Sequence, residues 1–168
     1  HLDESGELTG QIQKLVLDHL QQWLGDRTVS GVELRRELEN AFAKVRYPIV
    51  ATPKCFAESW KGGTLMAAGY TLGWTANNRV NLVALFEHRE GKTRLAAVTP
   101  FVPYTDLNYE FVPRNDRDDF QFFVYGTRPG KSQLRLTAVL YAYDGQALKP
   151  LWEVRDIYDG KMQVGQDR

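Results

Sequence analysis

Thr64–Phe86 reads TLMAAGYTLGWTANNRVNLVALF, and here the period of the chain changes to two. Met66, Ala68, Tyr70, Leu72 and Trp74 alternate with smaller or more polar residues, the two-residue period of a β-strand. Asn77-Asn78 then supplies a turn able to take positive φ. Beyond it Val80, Leu82, Ala84 and Phe86 share one face, while Val83 and Leu85 make the other face apolar as well. A strand apolar on both sides is a central strand of its sheet, and the sheet needs a layer packed across a face.

The first 46 residues can supply one such layer. Leu8, Ile12, Leu15, Val16, Leu20, Trp23 and Leu24 fall on one helical stripe, and Gly25 offers a C-terminal stop. Ser30-Gly31-Val32-Glu33 is a capping-box pattern that starts a second helix. Leu34, Leu38, Ala41, Phe42 and Val45 form its apolar stripe, and Pro48 closes it. Two amphipathic helices cannot bury both stripes on each other, so they need the sheet as a third surface.

The remaining strands follow from alternation and turn residues. Glu90-Gly91 turns the chain into Leu95–Phe101, and Phe120–Thr127 and Leu134–Ala142 are strand-like. The tripeptide Tyr-Asp-Gly occurs twice, at 143–145 and 158–160, and both copies read as Asp-Gly corners between β runs. Tyr141–Val154 resembles one strand-turn-strand of a β-propeller blade, but a single copy in 168 residues is too little chain for a propeller.

Composition bounds the function. Lys plus Arg equals Asp plus Glu, 21 each, which removes the basic footprint of a nucleic-acid binder. No apolar run reaches the roughly 20 residues that cross a bilayer. One cysteine, Cys55, excludes an intramolecular disulfide and a multi-cysteine zinc site. The chain begins with His1 in place of an initiator methionine, from which an extracytoplasmic location, periplasmic or secreted, is the expectation.

Cys55 is the natural nucleophile candidate, with His19 and His88 as the internal histidines, but no local protease signature surrounds it. The acidic run Asn115–Asp119 fails calcium-loop spacing, since its fifth and sixth positions from Asp116 are Phe120 and Gln121. Neither a cofactor nor a metal is expected. The segment 47–63 has two prolines and no clear period, and reads as a connecting loop between the helical layer (1–46) and the sheet (64–165) of a single domain, 1–168. Phe56 and Trp60 lie in this loop, and Tyr104 and Tyr109 in the proline-marked connection before Phe120. These four aromatics are the candidate binding residues.

The expected fold is α+β: two N-terminal amphipathic helices packed on a curved, mostly antiparallel sheet of about six to eight strands in meander order. The expected function is a non-catalytic binding or interaction domain for a small molecule, peptide or protein. The alternative is a small hydrolase or isomerase with a pocket between helices and sheet.

Overall fold

The computed structural model describes residues 2–46, 51–73, 79–100 and 108–163. Helix α1 spans Leu2–Leu24 and α2 spans Gly31–Lys44. Ser30 caps α2 as its sequence demands: its Oγ accepts from Glu33 N at 3.2 Å, and Glu33 Oε2 accepts from Ser30 N at 2.9 Å. Gly25, at φ 54°, ends α1 with its N–H on Gln21 O. Val16, Leu17, Leu20 and Leu24 form the buried stripe of α1, whereas Leu8 and Leu15 are exposed. At about 100° per residue the latter two project well round the helix from the line through Val16, Leu20 and Leu24.

Eight strands follow: β1 Lys54–Trp60, β2 Gly63–Leu72, β3 Val80–Arg89, β4 Lys92–Val98, β5 Asn108–Val112, β6 Phe120–Pro129, β7 Leu134–Tyr143 and β8 Leu148–Tyr158. All pairings are antiparallel and in sequence order, but the strands divide into two four-stranded sheets, β1-β2-β3-β4 and β5-β6-β7-β8. The two-faced apolar strand explains the division. Leu82, Ala84 and Phe86 join Met66, Ala68, Tyr70 and Leu72 against the helices. Val83 and Leu85, with Leu65 and Ala67, pack on Phe122, Val124, Val139 and Tyr141 of the second sheet. The order is therefore helices, first sheet, second sheet. No helix among the described residues is long and apolar enough to cross a membrane.

The sequence placed a loop at 47–63, and the structure corrects this. Residues 54–60 are the edge strand β1, paired with β2 from Lys54↔Gly69 to Trp60↔Gly63. The hairpin turns on Lys61 and Gly62, both at positive φ (45° and 75°), the type I′ geometry whose twist suits a hairpin. Lysine rarely heads such a turn, which hid it. Periodicity is blurred because β1 packs on two unlike neighbours, Cys55 on the helical side and Phe56 and Trp60 on the inter-sheet side. The first Asp-Gly corner joins β7 to β8 as expected. The second ends β8, and residues 160–163 form no further strand. Pro48, Trp74, the Asn77-Asn78 turn and Tyr104 lie outside the described residues.

Candidate functional site

The aromatics singled out by sequence are partly brought together, as core rather than as surface. Phe56 is half-buried, with its ring centroid 5.6 Å from Tyr109 and 3.7 Å from Phe111. Trp60 is only 1% exposed, so it cannot present a face to a ligand. Its indole packs on Tyr143 at a tilt of 39° with centroids 5.4 Å apart, and its N–H donates to Asp118 O at 2.9 Å. Beside Tyr109, a cavity of about 430 Å³ opens between the start of α2 (Gly31, Arg35) and the start of β1 (Lys54, Cys55). Burial pushes the Cys55 thiol up to about 12, so it is protonated near neutral pH. The histidines are engaged elsewhere: His19 Nε2 lies 2.6 Å from Glu37 Oε1, and His88 Nδ1 lies 2.8 Å from Thr93 Oγ1. Asn115–Asp119 is a side-chain-capped turn in which Asn115 Oδ1 accepts from the amides of Arg117 and Asp119. Among the described residues no group of three or more His, Cys, Asp or Glu could hold a metal ion.

The densest polar chemistry lies where three hairpins meet at one end of the two sheets. The β1–β2 turn brings Lys61; β3–β4 brings Glu87, Arg89, Lys92 and Arg94; β7–β8 brings Asp144 and Gly145, and together they line a cavity of about 440 Å³. Glu87 continues the inward row Val83, Leu85 on β3 and is 3% exposed. A carboxylate buried there needs compensating charge. It receives two guanidinium groups. Arg94 Nη2 donates to Glu87 Oε2 at 2.6 Å, and Arg89 reaches Oε1 through Nε (3.1 Å) and Nη2 (3.0 Å).

Arg94 also ties the sheets together. The same Nη2 lies 3.2 Å from both Tyr143 Oη and Gly145 O of the second sheet, and Tyr143 Oη donates to Glu87 Oε2 at 3.4 Å. The hydrogen bond that Arg94 donates to Glu87 raises the Arg94 pKa, and burial, then the Glu87 charge, raise that of Tyr143. Asp144 is held down to about 2, chiefly because the amides of Ala147 and Gln146 donate to Oδ1. Lys61 Nζ lies 3.4 Å from Asp144 O and 4.8 Å from the Trp60 ring, with Arg89 5.9 Å from the same ring. Trp60 is thus the apolar floor beneath this charged end. Sequence reading missed the group, because Glu87 and Tyr143 are 56 positions apart. The available signal was a glutamate on the same parity as Val83 and Leu85, at an inward-facing position.

The outer face of the second sheet carries exposed apolar side chains, Trp152, Ile157 and Leu134, around the buried Ala138 and Leu136. Cross-strand register aligns Phe123, Leu140 and Trp152 in one row, Tyr125, Ala138 and Val154 in the next, and Thr127, Leu136 and Ile157 in a third. Trp152 is 46% exposed and meets Phe123 edge-on, with centroids 6.1 Å apart. No family model, no curated protein and no solved structure matches the chain.

Proposed function

We propose that the protein is a non-catalytic binding domain, and that the charged end of its two sheets receives a small anionic ligand. The observation carrying this reading is the charge placement at the 440 Å³ cavity, where Lys61, Arg89, Lys92 and Arg94 face Glu87, Glu90 and Asp144. Both oxygens of Glu87 accept from guanidiniums, and Asp144 Oδ1 accepts from its own turn. Glu87 and Asp144 are thus committed; of the two lysines, Lys61 Nζ lies 3.4 Å from Asp144 O and 3.9 Å from Asp119 Oδ1, and Lys92 is exposed at the rim. Guanidinium and ammonium groups are the donors that recognise carboxylate and phosphate.

Binding is favoured over turnover because general acid–base catalysis needs a group that titrates near the working pH. Here Asp144 is lowered to about 2, and Arg94 and Tyr143 are raised. The alternative, a hydrolase or isomerase working between helices and sheet, has the 430 Å³ cavity beside Cys55 in its favour. Against it stands a thiol at about 12, which leaves no thiolate to attack at neutral pH.

The test is isothermal titration of the full chain with inorganic phosphate and with succinate. Saturable one-to-one binding is expected, weakening as salt rises toward roughly 0.5 M. The double variant Lys61→Gln, Lys92→Gln should lose about tenfold in affinity, two charge-assisted contacts being removed. No saturable heat up to about 10 mM ligand, weaker than any specific site of this kind, or binding unchanged in the double variant, would refute the reading.

A further inference from the structure

Independently of the charged end, we propose that the outer face of the second sheet docks on a second copy of this chain. The twofold axis lies in the interface, across the strands, along the row Tyr125, Ala138, Val154.

The face has five outward rows. Above the three already described lies Gln121, Ala142, Lys149, and below them Pro129 pairs with Leu134, whose carbonyl accepts from Asp159 N at 2.9 Å. A twofold through the middle row lays each strand antiparallel over its own copy and exchanges rows symmetrically. Lys149 then faces Asp159 of the second copy, and Asp159 faces its Lys149. These opposite charges stand five residues either side of Val154. Each half of β8 also carries one bulge, at Leu151 and at Arg155-Asp156, so the matched spacing survives in three dimensions.

Shape agrees with charge. The projecting Phe123–Trp152 row falls on the row Thr127, Leu136, Ile157 of the second copy. There an apolar cavity of about 500 Å³ opens between β6, β7 and the returning segment at Gly160–Met162. Exposed Leu134 falls on the row holding the small Ala142. The two bulges and Pro150 break the free ladder of β8, so that edge is blunted against strand addition and the face is left as the contact surface. A formal net charge of zero opposes no self-association.

Five rows on three strands cover roughly 27 Å by 15 Å, about 400 Å² on each copy, the size of a weak, transient contact, so the dimer should form at roughly 100 μM or above.

The test is sedimentation equilibrium of the full chain, with circular dichroism confirming the fold of each variant. Wild type is expected to show a monomer–dimer equilibrium. Lys149→Asp and Asp159→Lys should each weaken it about tenfold or more, because each sets like charges opposite one another twice. Mixing the two variants should restore dimerisation, since both contacts are then complementary, and the double variant should restore it within one chain. Phe123→Gln should weaken it without touching the charges. A monomer up to about 1 mM, single variants that associate like wild type, or a mixture that stays monomeric would each overturn the proposal.

Discussion

Replacing Trp60 separates a binding residue from a core residue. The side chain is 1% exposed, packs on Tyr143 and donates one hydrogen bond to a carbonyl. Trp60→Ala should therefore cost about 3–5 kcal/mol for the lost aromatic volume, with about 1 kcal/mol more for the lost hydrogen bond. The stacked cations add little, because Lys61 and Arg89 remain partly solvated. Domains of this size are stable by roughly 5–15 kcal/mol, so Trp60→Ala sits near the edge of folding. Trp60→Phe keeps most of the ring, loses the donor, and should cost about 1–2 kcal/mol. Urea unfolding followed by circular dichroism reads both, provided the denaturant slope stays constant. If Trp60→Ala costs less than about 1 kcal/mol with an unchanged slope, the indole is not the keystone of the inter-sheet core. Trp60 would then not be the floor on which the charged end rests.

Two further outcomes are expected. Leu38, 0% exposed on α2, should cost about 2–5 kcal/mol on Leu38→Ala in the same assay, and a much smaller loss would mean that the helices do not seal the first sheet. The Cys55 thiol, raised from 9.0 to about 12, favours the fold below pH 9, and that contribution is lost as pH rises from 9 toward 12, where the unfolded chain ionises first. Alkaline urea titrations should therefore show wild type losing stability relative to Cys55→Ala across that window. Parallel curves would place the thiol in water.

Much of the architecture was legible because it rests on local pattern. Val83 and Leu85 opposite Leu82 and Ala84 announce a central strand with helices on one face; that a second sheet covers the other face, where one curved sheet was expected, depends on contacts distant in sequence. Ser30 and Glu33 announce a helix start, and Glu90-Gly91 a turn, by chemistry that needs no tertiary context. What was not legible depends on partners distant in sequence. The strand at 54–60 takes its order from β2 and from Phe111 and Phe120 in the second sheet, and its hairpin turns on a lysine at φ 45°. Trp60 looks like a ligand anchor until Asp118 and Tyr143 arrive around it. Glu87, Arg94 and Tyr143 come from three strands in two sheets, and no spacing rule joins them.

The two proposed surfaces meet at one residue, and its energetics argue that they act nearly independently. Lys149 closes the outer face at one end and also lies 3.5 Å from Asp144 Oδ2, in the turn that lines the charged cavity. A second copy that drew Lys149 toward its own Asp159 would loosen that contact. The turn would hold nonetheless, because Asp144 is fixed first by the amides of Ala147 and Gln146, with Lys149 a lesser cause. Lys149 is also well exposed, so its pairing with Asp144 is screened by water. Coupling between two sites is reciprocal and cannot exceed the difference that each occupant makes to the shared contact. With a weak shared contact, a ligand at the charged end barely alters docking of the face, and docking barely alters the ligand. The tie that does span the molecule is Arg94, which joins Glu87 of the first sheet to Tyr143 and Gly145 of the second. It stands among the cavity cations, so an anion bound there would act on the junction between the sheets rather than on the outer face.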